Sequence, residues 1–126
     1  MHEAGVLSRV EDPDADQATS MLQVFVLPAP RHDGDRDVAV LKVVGELCTY
    51  SASLVEPEMR RFVEYADSVA IDLSDLRFVD AAGLQLLHDL ADGTDGARLE
   101  NVDTRVARTF EIAGLGPLLR RARVAS

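Results

Sequence analysis

The chain has 126 residues and a mass of 13.7 kDa, the size of one ordinary domain. Hydrophobic residues make up 47% and aromatics only 5%, with no tryptophan, so an aliphatic core is expected. A net charge of −9 argues against nonspecific nucleic-acid binding, which rests on Lys and Arg neutralising phosphates. No apolar run approaches the roughly 18 residues of a membrane span, no basic-then-apolar leader opens the chain, and the single cysteine, Cys48, rules out an internal disulfide. The expected compartment is the cytoplasm.

Residues 1–20 carry five acids against one base, include Pro13 and show no sustained apolar period. They read as a flexible acidic tail ahead of a domain over 21–126. Met21 to Leu27 alternates around Leu22, Val24 and Val26 and predicts a first strand, stopped by Pro28 and Pro30. A linker with the turn pair Asp33-Gly34 leads to Val38–Val44, a run apolar enough for a central strand. These two strands are expected to pair as a hairpin. Ser53 followed by Glu56 has the spacing of a capping box. A helix is therefore predicted from Ser53 to about Ala66, with Pro57 in its first turn or just after. Its apolar stripe is Val55, Met59, Phe62, Val63 and Ala66.

Val69–Leu73 predicts a third strand. A compact turn then leads to Asp80-Ala81-Ala82-Gly83, which opens a helix from about Ala82 to Asp92 carrying Leu84, Leu87 and Leu90. Gly93-Thr94-Asp95-Gly96 ends it. Ala97 to Val102 reads as a short strand, and Asp103 caps a helix over Thr104–Ala113 whose Val106, Phe110 and Ala113 share a face. Leu115–Ser126 stays open between a short helix at Leu118-Leu119 and an edge strand at Arg123-Val124-Ala125. The Arg120-Arg121-x-Arg123 cluster reads as a solvated end.

The order β-β-α-β-α-β-α predicts an α/β fold with a mixed sheet of about four strands, part of it parallel. About three helices are expected, packed mainly on one side. Strand, turn and helix start within Val69–Leu90 put unpaired backbone N–H groups at an exposed corner. Asp80 stands where it can cap the second helix through the N–H of Ala82 or Gly83, or contact a partner. His2, His32 and His88 lack metal-ligand spacing, and neither a Gly-x-Ser-x-Gly elbow nor a phosphate-cradling glycine loop is present. No metal, cofactor or catalytic residue is therefore expected. Ser51, Ser53, Ser74 and Thr104 are candidate modification sites, although caps and turns already account for them.

Val69–Leu90, with Gly45-Glu46-Leu47 and Ile112-Ala113-Gly114-Leu115, resembles the STAS domain of bacterial anti-sigma-factor antagonists over roughly residues 22–115. The family signature is roughly Asp-Leu-Ser-x-Val-x-Phe-x-Asp-Ser-Ser-Gly-Leu. Here its two serines are Ala81 and Ala82. The resemblance implies a STAS-like fold and a non-enzymatic protein-interaction module. It implies an anti-sigma factor of serine-kinase type as partner, whose capture frees a sigma factor. In switched members that kinase phosphorylates the serine matching Ala82. Alanine has no hydroxyl, so this switch position is degenerate and binding is expected to be constitutive.

The implied partner-binding residues are Asp80, Ala81, Ala82, Gly83, Leu84 and Gln85, with Leu84 and Gln85 as exposed anchors. Cys48 stands where members commonly carry aspartate, and reads as a small half-buried hydrophobe rather than a redox sensor. The resemblance also supports an alternative, an accessory subunit docking on the ATPase of an ABC-type lipid transporter. An enzyme or small-molecule binder on a similar sheet is a third reading, which lacks a nucleophile–base pair.

Overall fold

The computed structural model describes residues 5–14, 20–27, 31–34, 36–92, 97–114, 116 and 123–124. Among them the chain order is β1 (Gly5–Glu11), β2 (Ser20–Val26), β3 (Arg31–Asp33), β4 (Arg36–Leu47), α1 (Thr49–Tyr65), β5 (Val69–Val79), α2 (Ala81–Asp92), β6 (Ala97–Val102), α3 (Thr104–Ile112) and β7 (Arg123–Val124). The strands form one mixed sheet in the order β1-β2-β4-β5-β6-β7, with β3 paired to β4 beside that path. Pairs among β1 to β4 are antiparallel, and β4 through β7 run parallel to one another. The four expected strands all form as β2, β4, β5 and β6, and among the described residues β1, β3 and β7 join them.

Alternation in the central strand assigns the two faces. Leu41, Val43 and Leu47 of β4 enter the main core, whereas Val38 and Val40 meet Ala70 on the opposite face. Val55, Met59 and Val63 of α1, Leu84, Leu87 and Leu90 of α2, and Val106 and Phe110 of α3 all join that main core. The helices thus cover one face, as their amphipathic stripes require. Phe110 and Met59, both fully buried, are among its largest side chains.

Three elements differ from the sequence expectation, each for a local reason. The tail reading fails over residues 5–11, where β1 pairs with β2. A register shift makes Leu7 an extra residue, so the core-facing positions Leu7 and Val10 fall three apart and no two-residue period shows. The third strand continues well past Leu73, and the expected compact turn is absent. Two shifts against β4 each insert one residue into β5, giving buried Leu73, Leu76 and Val79 a spacing of three that resembles a turn. The first helix starts at Thr49, so Pro57 lies inside it rather than near its first turn.

The cap of that helix is Cys48 with Ser51, not Ser53 with Glu56. The Cys48 N–H donates to Ser51 Oγ at 2.9 Å, and Ser51 Oγ donates to the Glu46 carbonyl at 2.8 Å. Ser53 Oγ instead donates to the Tyr50 carbonyl within the first turn. Ser51 is fully buried, so Ser51→Ala strands two polar groups and is expected to cost about 1–3 kcal/mol. Urea unfolding reads this as a lowered midpoint; an unchanged midpoint would contradict the assignment.

At the open end of the chain, Arg123–Val124 forms the edge strand. Leu118-Leu119, Arg120-Arg121 and Gly93–Gly96 lie outside the described residues.

Candidate functional site

β4 and β5 are parallel neighbours, and Leu47 stands beside Val79 at their carboxyl ends. Each strand is followed by one residue, Cys48 or Asp80, and then by a helix. The N-termini of α1 and α2 therefore begin side by side, and their unpaired N–H groups face one corner.

Asp80 joins them. The Gly83 N–H donates to Asp80 Oδ1 at 3.0 Å, which is the cap expected from sequence. The Thr49 N–H and hydroxyl donate to Asp80 Oδ2 at 2.9 and 3.2 Å, tying the same carboxylate to the other helix. Partial burial pushes this carboxyl up, but the N–H of Gly83, both Thr49 donors and the Ala82 N–H outweigh it and hold it below the usual carboxylate range. On the α1 side, the N–H and hydroxyl of Ser51 hold the Cys48 thiol below its ordinary value against the effect of burial.

Gly83 explains how closely the helix sits. A Cβ there would lie 2.2 Å from the Leu47 carbonyl oxygen and 2.7 Å from Val79 Cγ2. Only glycine lets the first turn of α2 rest on the end of β4.

The predicted site residues divide between surface and interior. Ala81 and Gln85 are exposed, and Ala82 and Asp80 are half-buried. Leu84 is only 2% exposed and belongs to the core, which corrects its reading as an exposed anchor. The helix position after glycine turns inward because the close seat of Gly83 aims that face at β4.

Beside the corner runs a groove of about 280 Å³ between the two helices, lined by Thr49, Ser53 and Glu56 of α1 and Ala82, Gln85 and Asp89 of α2. Arg60 bridges it by pairing with Glu56 at 3.0 Å and Asp89 at 3.4 Å. Gln85 Nε2 donates to Asp89 Oδ1 at 2.8 Å. Tyr50 and Leu54, one turn apart on α1, are about half exposed, as is Phe78 just before the corner.

Sequence reasoning missed Thr49, and it placed Ser51 among the cap and turn hydroxyls without assigning it to the cap of α1. The Cys48-x-x-Ser51 spacing was the available signal, hidden because cysteine is an uncommon cap. Among the described residues no three His, Cys, Asp or Glu side chains gather as a metal site, and no helix is long and apolar enough to cross a membrane.

A mixed sheet covered on one face, with two helix N-termini meeting at one carboxylate, defines a small α/β domain built around an exposed corner. Residues 29–124 match the STAS domain model, and the chain belongs to that family. Comparison with curated proteins gives no match.

Among solved structures, the chain is similar to an anti-sigma factor antagonist from Mycobacterium paratuberculosis, with 22% identity, 86% of each chain covered and a TM-score of 0.62. It is similar to the Bacillus cell fate determinant SpoIIAA in its phosphorylated form, with 19% identity, 75% and 88% covered, and a TM-score of 0.51. It is also similar to a sulfate transporter family protein from Wolinella succinogenes, with 14% identity, 70% and 77% covered, and a TM-score of 0.56.

Proposed function

We propose that this STAS domain is a protein-docking module of the anti-sigma-factor-antagonist type. Its corner at Asp80–Gln85 and the adjoining groove receive an anti-sigma factor of serine-kinase type in the cytoplasm, which releases a sigma factor to regulate transcription. The observation that carries this reading is the preorganised corner itself. One carboxylate fixes two helix starts, so the surface offered by Ala81, Ala82 and Gln85 needs no ordering on binding. Half-exposed Tyr50, Leu54 and Phe78 add apolar contact area of the kind that anchors interfaces.

The corner offers backbone and small side chains for contact, and its role in this reading is recognition. Position 82 has no hydroxyl, and complex formation is not switched there.

The likeness to a sulfate transporter family protein favours one second reading, an accessory domain of a transporter. In that reading the domain docks on the ATPase of an ABC-type lipid transporter. Capture from native cell extract on the immobilised chain, followed by mass spectrometry, separates the two. Recovery of a kinase-type anti-sigma factor is the expected result. Recovery of a transporter ATPase in its place would overturn the first reading in favour of the second.

A further inference from the structure

Helix α1 carries a second stripe on its outer side. Its core face is Val55, Met59 and Val63, and the side toward α2 holds Ser53, Glu56 and Arg60. Leu54, Glu58, Arg61 and Tyr65 stand four, three and four residues apart, so they line up along the side that remains. Leu54 is 53% exposed and Tyr65 85% exposed. Glu58 and Arg61 are exposed as well, and among the described residues neither side chain makes a hydrogen bond or an ion pair. Beside the second half of the stripe lies a mostly apolar groove of about 200 Å³, lined by Leu7, Glu58, Arg61, Phe62 and Tyr65.

We propose that this stripe is the interface of a two-fold dimer, α1 packing antiparallel on α1 of a second copy of the chain. The stripe is complementary to itself: its spacing is the same from either end, and reversing it exchanges the acid for the base. In the antiparallel arrangement Leu54 meets the partner's Tyr65 and Glu58 meets the partner's Arg61, each contact made twice by symmetry. The partner's Leu54 then falls at the apolar groove beside Tyr65. A parallel arrangement sets Glu58 against the partner's Glu58 and Arg61 against the partner's Arg61, which like charges oppose.

The two ends and the middle of the stripe do different things. An exposed ion pair is worth about 1 kcal/mol or less, so the apolar ends supply the attraction and the charges fix orientation and register. Each chain carries a net charge of −9, which opposes association. At an ionic strength of about 0.15 M that long-range repulsion is screened beyond about 8 Å, whereas pairs in contact keep most of their effect. With Leu54 opposite the partner's Tyr65, the helix start at Thr49 lies past the end of the partner helix. The docking corner therefore stays open on both copies and keeps Tyr50 and Phe78.

The test is sedimentation equilibrium of the full chain over a dilution series at about 0.15 M salt. The wild-type mass is expected to rise with concentration toward twice the 13.7 kDa of one chain. Arg61→Glu leaves two acids at the centre of the stripe and Glu58→Arg leaves two bases, so each variant alone is expected to self-associate roughly tenfold more weakly or worse. Mixed in equal amounts, the two variants are expected to form the dimer again, one supplying both acids and the other both bases. Both remain strongly negative overall, so general attraction between them cannot produce that result. Both positions are exposed, and wild-type circular dichroism is expected for each variant. A wild type that stays monomeric at every concentration, single variants that dimerise as wild type does, or a mixture no more associated than its components would each overturn the proposal.

Discussion

Gly83→Ala is expected to destabilise the domain strongly although it adds a better helix former. By intrinsic propensity the change favours α2 by about 1 kcal/mol. The added methyl, however, would lie 2.2 Å from the Leu47 carbonyl oxygen, a backbone atom fixed within the sheet, and 2.7 Å from Val79 Cγ2. Relief requires moving α2 off the ends of β4 and β5, with Leu84, Leu87 and Leu90 still attached to it. Overpacking of this kind typically costs 1–3 kcal/mol, and a clash against backbone belongs at about 3 kcal/mol or above. Packing therefore outweighs propensity, and Tm is expected to fall by roughly 10 °C or more. Gly5→Ala is the matched control, since nothing lies within 4 Å of its added carbon. Equal Tm values for Gly83→Ala and wild type would contradict the close seat of α2.

Asp80→Ala is expected to loosen both helix starts together. One cap is typically worth about 1 kcal/mol, so losing a shared cap at two helices costs about 2 kcal/mol near neutral pH. The folded carboxyl lies below its unfolded value of about 3.9. Its contribution is therefore complete above pH of about 4 and is lost as pH falls through the lower folded value. The stability gap between wild type and Asp80→Ala should be constant from neutral pH down to about 4 and narrow below it. Chemical denaturation at several pH values measures that gap. A gap that persists unchanged in strong acid would show that the ionised carboxylate is not what holds the corner.

Much of this architecture is legible in the sequence because its signals are local. Leu22-x-Val24, the apolar run Val38–Val44 and the stripe Val55–Met59–Val63 each report a period that burial follows. The Asp80 cap is legible for the same reason, its acceptor lying three residues before the Gly83 N–H. What the sequence hides is created by partners distant along the chain. The bulges in β1 and β5 change a period of two into a period of three, and only the facing strand reveals them. The Thr49–Asp80 bond spans 31 residues and exists because parallel β4 and β5 end together. Leu84 reads as an exposed anchor because it belongs to the corner that the family resemblance marks for partner binding, yet the seat of Gly83 turns it into the core.

The claim that the corner is the docking surface is tested most directly by the affinity of the captured partner for Ala82→Asp beside wild type. An acid at the second position of α2 is compatible with a helix N-terminus, so the variant is expected to fold normally by circular dichroism and thermal melting. At an interface, the new charge is desolvated next to Asp80, a penalty of about 3 kcal/mol or roughly a hundredfold in Kd. That loss is expected by titration calorimetry in a variant with wild-type stability. Equal Kd values for a folded Ala82→Asp and wild type would place the interface elsewhere and contradict it.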